Sequence, residues 1–187
     1  MRDLAIIFAR APRLGTVKRR LARDIGDRAA LRFHQAQLAA LIRGLGRDRR
    51  FATVIALTPD RAALRTKLRV MAQGRGDLGR RMLRALARAR RAVLIGCDIP
   101  GVTAADIIAA IRALGRADAV FGPAEDGGYW LVGLGPRRPA RPFANVRWST
   151  AHALADTLAN FRHHRTALLP PRRDVDTVED LEAMGLR

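Results

Sequence analysis

Short apolar runs recur along the chain between amphipathic stretches, and their spacing predicts alternating strands and helices. Runs of β character fall at residues 4–9, 51–57, 67–72, 92–96, 119–122, 129–134 and 166–169. Between the first two, residues 27–47 carry Leu31, His34, Leu38, Leu41, Ile42 and Leu45 at helical spacing, so one face of a helix can cover a sheet. Residues 80–91 and 104–114 repeat that pattern. Strands as continuously apolar as Val93, Leu94 and Ile95 imply burial on both faces, the mark of a parallel sheet with helices on either side. Thr103 with Asp106, and Thr177 with Asp180, place a hydroxyl three residues before a carboxylate, as a capping box at a helix start requires. The alternation breaks at Gly122, Pro123, Glu125, Asp126, Gly127 and Gly128, where turn residues join two short β runs and predict an antiparallel excursion. The expected fold is α/β: a Rossmann-like, mostly parallel sheet flanked by helices, in one domain spanning residues 1–187.

Composition narrows the setting. No apolar run approaches the roughly 18 residues of a membrane span, and the first residues enter a strand without a signal-peptide stretch, so a cytoplasmic protein is expected. The single cysteine, Cys97, excludes an intramolecular disulfide and a cysteine-rich metal cluster. A net charge of +18 raises the question of nucleic acid. Against it, the cations are scattered over nearly every helix, aromatic residues make up only 5% of the chain, and no nucleic-acid module is recognisable. All basic residues but Lys18 and Lys67 are Arg in an Ala-rich background, which reads as solvated helix faces plus one phosphate site rather than a polyanion surface.

In an open parallel sheet ligands bind beyond the carboxyl ends of the strands, so the loops after each β run carry the candidate chemistry. The loop from Arg10 through Gly15 and Lys18 to Arg20 joins a glycine, several cations and a helix start, which suits a phosphate chain. It is not a Walker A loop, because no Gly-Lys pair and no Ser or Thr after Lys18 occur there. Residues 73–79 carry Gly74, Gly76 and Gly79, either for close backbone approach to a ligand or for a turn with positive φ. Asp98 follows a buried strand, a costly place for a carboxylate unless a cation pairs with it, and Mg²⁺ (or Mn²⁺) is the natural partner; turn bonding is the alternative. Glu125 and Asp126, before Gly127 and Gly128, suit either an acceptor's hydroxyls or a plain hairpin. Asp174 and Asp176 alternate and should point the same way from an extended segment, offering a second carboxylate beside Asp98, or else simply flank a helix cap. The four histidines show no metal spacing. His34 reads as packed, the pair His163 and His164 as a helix end, and Cys97 as a small hydrophobe.

These motifs together resemble a bacterial family of nucleotide-diphospho-sugar-transferase-like proteins associated with radical-SAM and selenium-related genes. The resemblance rests on Phe8-Ala-Arg-Ala-Pro-x-x-Gly-x-Val-Lys18-x-Arg-Leu21, Gln73-Gly-x-Gly-Asp-Leu-Gly79, Gly96-x-Asp98-x-Pro100-Gly101, Gly122-Pro-Ala-Glu-Asp-Gly-Gly-Tyr129, Trp148-Ser-Thr150 and Asp174-Val-Asp-Thr-x-Glu-Asp180. It implies the GT-A fold shared with molybdenum-cofactor and phospholactate guanylyltransferases. It also implies a nucleotide or nucleotide-sugar donor, a small-molecule acceptor and Mg²⁺ (or Mn²⁺). By the resemblance, Arg10, Gly15, Lys18 and Arg20 contact phosphates, and Gly76, Asp77 and Gly79 lie near the nucleoside. Asp98 and Asp176 hold the metal, Lys18, Asp98 and Asp176 serve catalysis, and Glu125, Asp126, Gly127 and Gly128 face the acceptor. Arg19 stands where the family pattern has a small Thr, and Cys97 precedes Asp98 where the pattern places a cysteine after it. The expected activity is glycosyl transfer, with nucleotidyl transfer or non-catalytic binding of a nucleotide or polyanion as alternatives.

Overall fold

The computed structural model describes residues 2–185; Met1, Leu186 and Arg187, the ends of the expected domain, lie outside the described residues. Seven strands form one sheet: β1 (Leu4–Arg10), β2 (Ala52–Thr58), β3 (Arg69–Ala72), β4 (Ala92–Gly96), β5 (Ala119–Pro123), β6 (Tyr129–Leu134) and β7 (Thr166–Leu168). Their order is β3-β2-β1-β4-β6-β5-β7. β3, β2, β1 and β4 run parallel, β6 runs antiparallel to both β4 and β5, and β7 is parallel to β5. The antiparallel excursion thus lies where the Gly-rich break in the sequence predicts it.

Among the described residues six helices accompany the strands: α1 (Arg19–Ile25), α2 (Asp27–Gly46), α3 (Leu78–Leu86), α4 (Ala104–Ala113), α5 (Ala153–Ala159) and α6 (Val178–Ala183). Alternate residues of β1 divide between two cores. Ala5, Ile7 and Ala9 join Leu38, Leu41 and Leu45 of α2 and Ile107 and Ala110 of α4. Leu4 and Ile6 face the other way, toward Met82 and Leu86 of α3 and Phe161. Two covered faces explain the continuously apolar strands. Both predicted capping boxes form: the Asp106 carboxylate accepts the Thr103 N–H at 2.7 Å, and Asp180 accepts that of Thr177 at 3.0 Å.

Two expectations need correction. The helix read over 80–91 is α3, displaced toward the N-terminus. Asp77 caps it by accepting the Arg80 N–H at 2.7 Å, and it ends at Leu86, since Arg91 is already held against β1 at the entry to β4. There the Arg91 carbonyl accepts the Leu4 N–H at 3.1 Å and its guanidinium grips Asp3. His163 and His164 do not end a helix: α5 stops at Ala159, and His164 lies edge-on to Phe161. No helix of the described residues is long and apolar enough to cross a membrane.

Candidate functional site

The strand ends of β1, β2 and β4 open onto a cavity of about 640 Å³ whose lining includes Arg10, Lys18, Arg20, Gln73, Arg81, Asp98 and Asp176. The loop after β1 is held in place by His34 of α2, whose buried Nε2 lies 3.0 Å from the Arg10 carbonyl. Packed, as its helical position predicts, His34 is therefore a strut for the phosphate-loop candidate. Lys18 then takes a left-handed conformation, φ 48°, immediately before α1, a strained choice for a residue with a Cβ, costing about 1 kcal/mol or more. That turn points its side chain inward.

The Lys18 ammonium is almost wholly withdrawn from solvent, its side chain 3% exposed, and three oxygens surround it. Asp98 Oδ1 lies at 2.9 Å, Asp176 Oδ1 at 3.1 Å and the Val175 carbonyl at 2.6 Å. Burial works to lower the pKa of this amine, but the charges and hydrogen bonds of Asp98 and Asp176 outweigh it, and the net direction is upward. The two carboxylates, one from the middle of the chain and one from near its C-terminus, are tied together by backbone: the Val175 N–H donates to the Asp98 carbonyl at 3.2 Å. Val175 itself is buried with Leu21 of α1 and Leu181 of α6, so one small apolar cluster pins the Asp176 segment to the phosphate-loop helix. Arg20, largely exposed, approaches Asp176 Oδ2 at 3.5 Å.

Asp98 also lines a second cavity, of about 280 Å³, on the other side of the β4 end. Phe8, Leu78, Asp98 and Ser149 are common to both, forming the seam between them. Ser149 in that seam has φ 61° and so, like Lys18, is a non-glycine residue in the left-handed region. The second cavity is walled by Met82, Tyr129, Trp130 and Trp148 and carries two more carboxylates, Asp126 and Asp174. Burial, and then the charges of Asp176 and Asp126, push the Asp174 carboxyl above its ordinary range.

The structure brings together Arg10, Lys18, Arg20, Asp98 and Asp176, and places Asp126 and Gly128 in the adjoining cavity. It sets others apart. Gly15 sits in the exposed loop before Lys18 and lines neither cavity. Gly76 turns the chain at φ 108° and Asp77 caps α3. Gly79 supports a wall: a Cβ there would lie 2.7 Å from Phe143 Cβ and 3.1 Å from the Trp148 ring. Glu125 faces outward in an ion pair with Arg173 at 2.7 Å, and Gly127, φ 83°, lies against the Ala151 backbone where no side chain fits. Asp174 and Asp176 alternate about buried Val175, yet they enter different cavities, so the expectation that both stand beside the metal candidate holds only for Asp176.

Residues that sequence reasoning passed over supply much of the lining. Gln73, 2% exposed, spans the ends of β1 and β2 by donating to the carbonyls of Ala9 and Ala56, each at 2.9 Å. Its Oε1 accepts from Arg81, whose guanidinium lies over the Phe8 ring and whose Nε has no hydrogen-bond partner. Gln73 opens one of the motifs quoted above, but nothing in its neighbouring residues says that its amide bridges two strand ends. Cys97 is buried, its Sγ 4.0 Å from His34 Nδ1, and burial pushes its thiol well above the usual range, so it packs as the small hydrophobe expected.

The sequence profile of a bacterial family described as uncharacterized proteins conserved in bacteria (DUF2064) matches residues 27–150. No curated protein matches the chain by sequence. Among solved structures, the chain is similar to a candidate nucleotide-diphospho-sugar transferase from Desulfovibrio desulfuricans at 30% identity, covering 97% of this chain and 85% of that one, with a TM-score of 0.89. A cytidylyltransferase from Leptospira borgpetersenii shares the fold at 16% identity and TM-score 0.65, over 98% of this chain and 85% of that one. Glucosyl-3-phosphoglycerate synthase from Mycobacterium tuberculosis, solved with Mn²⁺, UDP and glucosyl-3-phosphoglycerate, shares it at 10% identity and TM-score 0.59, over 98% and 76% of the two chains. The architecture is that of the nucleotide-diphospho-sugar transferases.

Proposed function

The chain belongs to the bacterial family DUF2064, and from that premise we propose that it is a metal-dependent transferase that takes a glycosyl group from a nucleotide-sugar and passes it to a small acceptor. One observation carries the reading: Asp98 and Asp176 converge on a buried cation at the seam between a basic cavity and an apolar one. The three oxygens around the Lys18 ammonium are a hard donor set, of the kind that holds Mg²⁺ or Mn²⁺, so the residues present fit a divalent ion. Asp98 and Asp176 would hold it. When bound, such an ion neutralises charge on the diphosphate of the donor.

The chain's own groups do the rest. Lys18 keeps the carboxylates neutralised and lines the cavity in which the donor's phosphates would lie. Arg10 and Arg81 present further cations to the same cavity, where charge that builds on the leaving diphosphate is stabilised. In the transfer, an acceptor oxygen or nitrogen forms a bond to the anomeric carbon. The bond from that carbon to the diphosphate breaks with its electron pair leaving on phosphate, and the acceptor's proton passes to a carboxylate of the second cavity, Asp126 or Asp174.

Nucleotidyl transfer is the second reading, favoured by the cation-rich loop after β1, which suits a triphosphate. Melting curves with Mg²⁺ or Mn²⁺ and a panel of nucleotide-sugars and nucleoside triphosphates decide between them. Metal-dependent stabilisation by a nucleotide-sugar is expected. Stabilisation by triphosphates alone would move the assignment to nucleotidyl transfer, and none by either class would overturn the donor site.

A further inference from the structure

Resting on the transferase reading above, we infer that the acceptor is an uncharged or cationic molecule with an aromatic or apolar body, and that it carries no phosphate. The second cavity, about 280 Å³, has room for a compact small molecule or the end of a longer one. Its walls include the rings of Phe8, Tyr129, Trp130 and Trp148, held edge-on where Tyr129 meets Trp148 at 6.4 Å between centroids. Such surfaces bind flat or greasy ligands and, through their π faces, cations.

The charge of the lining points the same way. Lys and Arg outnumber Asp and Glu 35 to 17 in this chain, yet every ionisable side chain lining this cavity, Tyr129 aside, is an aspartate: Asp98, Asp126 and Asp174. Neither Asp126 nor Asp174 has an ion-pair partner among the described residues. The nearby cations are committed elsewhere. Arg172, stacked on the Trp130 ring at 5.0 Å, is not part of the cavity lining and is paired with Asp106 at 2.6 Å. Arg173 is paired with Glu125, and Lys18 with Asp98 and Asp176. A phosphorylated acceptor would meet two carboxylates without an ion-pair partner and no cation, whereas an amine or a hydroxyl finds acceptors there.

Trp130 and Trp148, the only two tryptophans of the chain, both line this cavity, so their fluorescence reports its occupancy without any turnover. The experiment titrates the intact protein with 2-phenylethylamine and with phenyl phosphate, in excess inorganic phosphate to fill the basic cavity. A saturable emission change with the amine is expected, with a Kd at least about tenfold below that for phenyl phosphate. In the Asp126→Asn/Asp174→Asn double variant the preference should shrink by about tenfold or more, while the far-ultraviolet circular dichroism stays unchanged. Phenyl phosphate binding as tightly as the amine, or neither molecule perturbing the tryptophans, would overturn the inference. If nucleotide-sugar stabilisation survives in either case, the donor reading stands without it; if the amine binds but no nucleotide stabilises the protein, it is the donor reading that fails.

Discussion

The two cavities meeting at Asp98 are built from the same sheet and differ in almost every physical respect. The one beyond β1 and β2 is basic: Arg10 at the end of β1, Lys18 in the loop after it, Arg20 of α1 and Arg81 of α3 gather where parallel strands end. The one beside β6 is smaller, aromatic and acidic, and its walls are strand and helix residues such as Trp130 and Met82. The difference follows the change of strand direction. Parallel strands leave a row of carboxyl ends and loops on one side, which suits phosphate capture. The antiparallel β6 starts at that edge, from the turn at 124–128, presenting its first side chains, Tyr129 and Trp130, to the site. One fold thus supplies a polar donor side and an apolar acceptor side, with a shared carboxylate between them.

Breaking the seam should have the largest effect. Asp98→Asn is expected to lower turnover about a thousandfold and to abolish metal-dependent stabilisation by nucleotide-sugars, with the circular dichroism spectrum retained. Wild-type behaviour of that variant would dismiss Asp98 as the shared group. Next comes the apolar wall: Gly79→Val must push Phe143 and Trp148 aside, costing about 1–3 kcal/mol and several degrees of melting temperature, with altered tryptophan emission. Differential scanning calorimetry and fluorescence measure both.

On the basic side, Lys18→Met removes the cation that neutralises Asp98 and Asp176. Calorimetric titration should then show Mn²⁺ binding several-fold tighter without nucleotide, and nucleotide-sugar binding about tenfold weaker. Looser Mn²⁺ binding would refute the competition between ammonium and metal. Arg81→Met should weaken the nucleotide-sugar about tenfold while leaving the amine titration of the aromatic cavity unchanged, a direct check that the cavities are separable. The smallest effect lies outside both. Asp106→Asn, which weakens the capping box of α4 and the pair with Arg172, should cost about 1 kcal/mol in chemical denaturation.

How much of this was legible in the sequence depended on how local the cause was. Strand and helix positions follow from side-chain periodicity, so β1, β4, β6 and α2 fall within a residue or so of the apolar runs that predict them. Capping boxes are spelled out in four residues, and both form. Asp98 was marked by its place after a buried strand. Glycines were harder to read. Gly76 and Gly79 share one motif, but Gly76 answers to its own φ whereas Gly79 answers to Phe143 and Trp148, far along the chain. Arg81 and Gln73 were illegible for the same reason: a lone Gln and one Arg among many mean nothing until β1, β2 and α3 bring them to one strand end.

By itself, then, the sequence determined the alternation of strands and helices, the caps that bound them and the loops in which charge collects, because each depends on residues within a few positions of one another. Only the tertiary structure decided that Lys18 meets Asp98, Asp176 and the Val175 carbonyl at once, that Asp174 and Asp176 serve different cavities, and that a chain of net charge +18 keeps a pocket walled by aromatic rings and aspartates. Those facts depend on which strand ends lie side by side, and electrostatics and close packing act through space and are blind to distance along the chain.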